Sequence, residues 1–183
     1  MRRLSQAERL RPDALFRRVE DISPEWLAAR GIRAVLLDLD NTLTAWRSEE
    51  LPASKQRWVE ALKERFGVCL VSNTVFGGRL RRIGQKLGIP VVGRWGLGRK
   101  PGTGGLRDAM RLLGAKPEET VMIGDQVFTD IVAGKRAGVM TILVVPVDPE
   151  REFFGTRLAR LREKALWELW LAELESRGEA KQQ

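Results

Sequence analysis

The chain has 183 residues, 43% of them hydrophobic and 31% charged, which is the size and mix of one globular domain with room for a full core. Its formal net charge of +8 and pI of about 10.3 favour phosphate-bearing partners, whether nucleic acid, anionic lipid headgroups or charged metabolites. It contains no histidine, which excludes Ser-His-Asp and Cys-His catalysis and any zinc site built on imidazole; acid–base work falls to carboxylates or lysines.

No apolar run reaches the roughly 18 residues that a membrane span requires. The Arg-rich N-terminus lacks the apolar segment of a secretory signal. Cys69 is the single cysteine, so no intrachain disulfide forms. It reads as a small buried hydrophobe in a protein of the reducing cytosol.

In chain order, residues 5–30 read as a helical lead, with Ser23 and Pro24 as a cap and first-turn signal. Arg33 to Asp38 is a short apolar run, the pattern of a strand buried on both faces. Ser54 opens a helix carrying Trp58, Leu62 and Phe66. Val68 to Ser72 is a second strand, Gly78 to Leu87 a basic helix closed by Gly88, and Pro90 to Val92 a third strand. Thr103 starts a helix that Gly114 ends. Thr120 to Gly124 is the fourth strand, followed by a helix over about Thr129 to Ala137, and Met140 to Val145 is the fifth. Strand and helix alternate, with no internal repeat. That order predicts an α/β fold: βαβ units in a three-layer, Rossmann-like parallel sheet of five strands, occupying one domain over 1–183. Ligands in such folds bind outside the carboxyl ends of the strands. Asp38, Ser72 and Asp125 each end a predicted strand, so three polar groups could share one edge.

The first strand runs into Asp38 and Asp40, two carboxylates straddling one residue. One can attack phosphorus while the other protonates the leaving oxygen, although a polar strand-to-loop turn would show the same residues. Ser72 with Asn73 offers a hydroxyl and backbone N–H groups to a phosphate oxygen, and both are also ordinary turn formers. Lys100, just before a helix, can offset charge on a transferring phosphoryl group. Asp125 and Asp130 flank the turn after Gly124, where they can hold a hard divalent cation with Asp38; the weaker alternative for Asp130 is charge complementarity at a helix N-terminus. Taken together, the order D-x-D, hydroxyl, lysine, GDxxxxD is specific where each part alone is not.

At these residues the chain resembles the haloacid dehalogenase (HAD) superfamily, whose four motifs appear in order. The wider pattern is similar to a capless branch, subfamily IIIA, the YqeG-like and phosphatidylglycerophosphate phosphatase-like proteins. The matching features are Pro12 with Asp13, Trp46 after the first motif, Lys100 with Pro101, Gln126 after Asp125, and Val144 to Val147. The resemblance implies a magnesium-dependent phosphatase. In it Asp38 is the nucleophile, Asp40 the general acid and base, and Ser72, Asn73 and Lys100 bind the phosphoryl group. Magnesium rests on the Asp38 carboxylate, the Asp40 backbone carbonyl and Asp125, and Asp130 supports the metal shell or Lys100. Two departures flank the site: Asn73 and Thr74 followed by Gly77 and Gly78, and the Gly- and Trp-containing loop Gly93 to Gly98.

About 34 residues separate Asp38 from Ser72 and about 28 separate Ser72 from Lys100, each spent on one helix and one strand, so no cap domain is expected. From Pro149 to about Ser176 the chain reads as an amphipathic helix with Phe154, Leu158, Leu161, Leu166, Leu169 and Trp170 on its apolar side. That side can lie on an anionic membrane, on its own domain or on a second subunit. Three functions stay open. One is a phosphatase of phosphatidylglycerophosphate, cytoplasmic or peripheral on the inner membrane face. Another is a soluble phosphatase of a sugar phosphate, nucleotide or nucleic-acid end. The last is a non-catalytic RNA- or ribosome-associated module. A receiver domain fits the D-x-D and GDxxxxD pair poorly.

Overall fold

Apolar runs without alternation have to be buried on both faces, and four of the five runs found in the sequence become interior strands, while Pro90 to Val92 enters an edge strand. The computed structural model describes residues 6–74, 77–149, 163–168, 170 and 172. Its strands are β1 (Ala14–Phe16), β2 (Ala34–Leu37), β3 (Gly67–Asn73), β4 (Val91–Arg94), β5 (Thr120–Gly124) and β6 (Met140–Val144). They pair in the order β1-β6-β5-β2-β3-β4, parallel throughout. The helices are α1 (Gln6–Leu10), α2 (Pro24–Ala28), α3 (Ala53–Lys63), α4 (Gly77–Leu87), α5 (Gly104–Leu113) and α6 (Val132–Ala137).

The alternation of side chains along each strand divides the core into two layers. On one face Val35, Leu37, Val68 and Leu70 pack with Trp58, Val59 and Leu62 of α3 and Leu80, Ile83 and Leu87 of α4. On the other, Leu36, Cys69, Val71 and Met122 meet Leu106, Ala109 and Met110 of α5 and Ala133 of α6. This is the expected three-layer, Rossmann-like α/β arrangement. Gly114 and Gly138 close α5 and α6 at φ 63° and 76°, left-handed positions that glycine adopts without strain.

The sheet has six strands rather than five, because β1 lies inside the stretch expected to be helical. Residues 6–28 form two five-residue helices, a 3-10 turn and β1. The strand forms because β6 offers it an edge, and Asp13 fixes the register. The Asp13 carboxylate accepts the Thr141 N–H and hydroxyl, both at 2.7 Å, while its own N–H donates to the Thr141 carbonyl at 2.9 Å. The helix expected from Thr129 also differs: Val127–Ile131 is a π-helical turn, and regular α-helix starts at Val132. There Asp130 bends back to accept the Gln126 N–H at 3.1 Å.

Most of the predicted C-terminal helix lies outside the described residues, including Phe154, Leu158, Leu161 and Leu169. The described residues 163–168, 170 and 172 are helical. Trp170 is buried against Val127, Ile131 and Leu143, with Leu166 and Trp167 beside it, and Glu163 accepts the Phe128 N–H at 2.8 Å. Among the described residues no helix is long and apolar enough to cross a membrane.

Candidate active site

The chain leaves β2 for β3 and β4 on one side, then returns to β5 and β6 on the other, so strand order reverses between β2 and β5. A crevice opens at the carboxyl ends of strands at such a reversal. Asp38 follows β2 directly and Asp125 follows β5 directly, which places both at its mouth. The Asp38 N–H continues the ladder, donating to the Ile123 carbonyl at 2.9 Å. Lys100 arrives from the connection between β4 and α5.

The Lys100 ammonium is the hub. Its Nζ lies 2.5 Å from Asp38 Oδ1, 2.7 Å from Asp130 Oδ1 and 2.8 Å from the Val71 carbonyl, and the residue is 3% exposed. Thr42 Oγ1 donates to Asp125 Oδ1 at 3.1 Å and stands 3.5 Å from Asp38 Oδ2. Asp38, Asp125 and Asp130 each offer an oxygen within 4.8 Å of the others. Gly124 makes room for this: a Cβ there would fall 2.4 Å from the Asp130 carboxylate.

Burial dominates the electrostatics. It pushes the Asp38 carboxyl well above its usual range, with Lys100 opposing and Asp130 and Asp125 adding to the rise. Burial works against the Lys100 charge as well, but Asp130 and Asp38 overcome it and hold the ammonium protonated. Three buried carboxylates thus face one ammonium, an excess of negative charge that a cation would neutralise. The donors are all carboxylate oxygens, the set that hard divalent ions choose. The residues present therefore fit a bound metal.

The sequence-predicted residues divide into those gathered at this point and those turned elsewhere. Asp38, Lys100, Asp125 and Asp130 converge, and Asp130 contacts Lys100. Ser72 is buried at the end of β3, next to the Val71 carbonyl that holds Lys100. The Asp40 carboxylate accepts Arg79 Nη1 at 2.8 Å and the Arg47 N–H at 3.2 Å and is not in the group of three. Asn73, expected to meet a phosphate, gives both ends of its amide to Lys100: Nδ2 donates to the carbonyl at 2.8 Å and Oδ1 accepts the N–H at 2.7 Å.

Three further residues were not singled out by their sequence. Thr42 lies within the first motif, and its spacing of four from Asp38 was a usable signal. Arg79 sits among other arginines of a basic helix, where nothing marks it; its Nε also donates to the Ser48 carbonyl at 2.8 Å. Lys55 is buried on α3 and donates to the Thr42 carbonyl at 2.8 Å. Burial lowers the proton affinity of its ammonium, against Glu20 and Asp125. A lysine on a predicted helix is ordinarily solvated, so its burial was not legible.

The chain is similar to known proteins in sequence and in fold. Residues 97–145, which span Lys100, Asp125 and Asp130, match the HAD-hydrolase-like family model. The chain is 36% identical over 156 residues to the probable phosphatase YqeG of Bacillus subtilis (strain 168), covering 85% of this chain and 88% of that protein. It is 31% identical over 156 residues to the chloroplastic/mitochondrial phosphatidylglycerophosphate phosphatase 1 of Arabidopsis thaliana, covering 80% of this chain and 44% of that longer protein. A crystal structure of an uncharacterized protein from Listeria monocytogenes serotype 4b superimposes with a TM-score of 0.52 at 20% identity, over 67% of this chain and 85% of that one, a likeness of fold. With 36% identity to YqeG over most of both chains, and the motif carboxylates and lysine gathered at the carboxyl ends of the strands, the chain belongs to the HAD-like phosphatase family.

Proposed function

We propose that the protein is a magnesium-dependent phosphomonoesterase that works through an aspartyl-phosphate on Asp38, with phosphatidylglycerophosphate as its substrate. The observation that carries the chemistry is the contact of Lys100 Nζ with Asp38 Oδ1 at 2.5 Å beside Asp125 and Asp130. The lipid assignment is supported by similarity to proteins named phosphatidylglycerophosphate phosphatase, in plant and alga alike.

On this reading one Asp38 oxygen attacks phosphorus while the bond to the leaving oxygen breaks, and Asp40 gives that oxygen its proton. Asp40 then takes a proton from the water that attacks the phosphorus of the aspartyl-phosphate. The acyl–phosphate bond breaks, and inorganic phosphate and free Asp38 result. Lys100 offsets charge on the phosphoryl oxygens, and Ser72 binds one of them. Magnesium, held by Asp38, Asp125 and the Asp40 carbonyl with Asp130 in support, would supply further neutralisation of that charge. Asn73 contributes by fixing the Lys100 backbone beside the phosphoryl site. The site is read as open, without a cap, so it can admit a large or surface-bound ester.

The test is phosphate release from phosphatidylglycerophosphate and from a panel of small esters, with and without magnesium. Turnover of the lipid that disappears in Asp38→Asn is expected. Turnover of small esters alone would replace the lipid with a soluble metabolite, and unchanged release by Asp38→Asn would remove the mechanism.

A further inference from the structure

Among the described residues of the C-terminal segment, Trp170 is 4% exposed, and Leu166 and Trp167 pack on the same cluster. The charge of +8 attracts anionic surfaces, and a separate set of exposed apolar side chains is available to meet one. Among the described residues four large hydrophobic side chains stand exposed: Trp95 at 62%, Leu112, Val145 and Val147. Three of these four lie on loops leaving the carboxyl ends of β4 and β6, the edge that also holds Asp38 and Lys100.

Two arginines on this edge lie over indole rings. Arg47 Cζ is 4.4 Å from the ring centre of Trp46, on the loop after β2, and Arg99 Cζ is 5.6 Å from that of Trp95, on the loop before Lys100. The loops are pinned in place. The Val147 N–H donates to the Asn41 carbonyl at 2.8 Å, and Asn73 clamps Lys100 next to Arg99. A surface already fixed in this way loses little conformational entropy when it is covered.

A ring that carries a cation is amphipathic: the indole suits the interfacial layer of a bilayer and the guanidinium suits a lipid phosphate. Arginine with tryptophan could also stack on the bases of a single strand. The exposed Val145 and Val147 favour the bilayer, because aliphatic side chains offer a base no stacking partner but gain from entering acyl chains. We propose that this edge docks on an anionic lipid surface, with Trp95, Val145 and Val147 entering the interface and Arg47 and Arg99 meeting phosphates, so that the mouth of the candidate site faces the membrane plane. The inference deepens the proposed function by naming the surface from which the ester is taken. Because binding is measured without turnover, loss of phosphatase activity on every ester would leave it standing.

The experiment is co-sedimentation of the full chain with phosphatidylcholine vesicles, with and without phosphatidylglycerol. Binding only to the anionic vesicles, weakened by salt, is expected. Trp95→Ala with Val147→Asp should lower the bound fraction about tenfold. Leu112→Asp, on α5 and away from the edge, should bind like the parent. Both replaced surfaces are exposed, and circular dichroism confirms that each variant is folded. Brominated lipid should quench tryptophan fluorescence in the parent and less in Trp95→Ala. Equal binding by the edge double variant would overturn the proposal, as would binding of single-stranded RNA through Trp95 with no vesicle binding.

Discussion

The side-chain amide of Asn73 and the backbone of Lys100 are bonded reciprocally, at 2.8 and 2.7 Å, so the end of β3 holds the loop that delivers the site's ammonium. Replacing Asn73 with alanine removes both bonds, at about 1 kcal/mol each. We expect a loss of roughly 2 kcal/mol in urea unfolding and, under the proposed mechanism, a fall in kcat of about tenfold or more as Lys100 loses its fixed place. A variant as active as the parent would show that Lys100 finds its position without the clamp.

Lys100→Met strips the cation from two buried carboxylates at once. Breaking a buried pair on one side leaves uncompensated charge, and the expected loss is about 3–5 kcal/mol in metal-free protein. Adding Asp130→Asn to the same chain should recover part of that loss, because one of the stranded charges is gone. Chemical denaturation of the single and double variants reads the coupling directly, and simple additivity of the two would deny that Lys100 and Asp130 act together.

Gly124→Ala places a Cβ 2.4 Å from the Asp130 carboxylate, an approach neither group can tolerate. Asp130 must swing away from Lys100 and from the Gln126 N–H. A destabilisation of about 1–3 kcal/mol is expected. Weaker stabilisation by added magnesium should accompany it, read as a smaller rise in Tm. If the magnesium response matches that of the parent, Asp130 is not placed for the metal by Gly124.

Asp38 sets a pH dependence whose sign follows from its burial. Its folded-state proton affinity is raised above the ordinary value of 3.8, so in metal-free protein the folded form binds the proton more tightly than the unfolded form. This group's contribution to stability therefore falls as pH rises from that value through the raised folded value. Asp38→Asn cannot titrate. Its unfolding free energy relative to the parent should rise with pH across that window, and magnesium should diminish the gap by favouring ionised Asp38 in the parent. A difference that stays flat with pH contradicts the assignment.

Cys69 is buried and its thiol is pushed up to about 12 by desolvation, against a hydrogen bond from the Val92 backbone. Almost no thiolate exists near neutral pH, and thiol reagents need the thiolate. Labelling by a chromogenic disulfide at mildly alkaline pH should be negligible in the native protein and fast in urea. Rapid native labelling would contradict the packing of β3 against α5.

The extent to which the site could be read in advance depended on distance along the chain. Asp38 and Asp125 were identifiable because each ends a predicted strand, and apolar runs bounded by glycine and aspartate reveal strand ends; Lys100 and Asp130 were identifiable only from their place in the motif order. Thr42 had a local signal in its spacing from Asp38. Arg79 and Lys55 had none: which of several cations on a helix turns inward depends on what packs against it, here the Asp40 and Ser48 side of the loop for Arg79 and the Thr42 carbonyl for Lys55.

By itself the sequence determined the alternating α/β order, the parallel layered sheet and the row of acidic and basic groups at its carboxyl edge, since periodicity and turn residues act over a few positions. Tertiary structure alone decided the sixth strand, which exists because Asp13 meets Thr141 across 128 residues. It also decided that Asn73 serves Lys100, that the Asp40 carboxylate turns to Arg79, and that Trp170 is buried while Trp95 is left exposed. Each of these depends on a partner brought close by the fold, and a local pattern carries no record of which distant group will arrive.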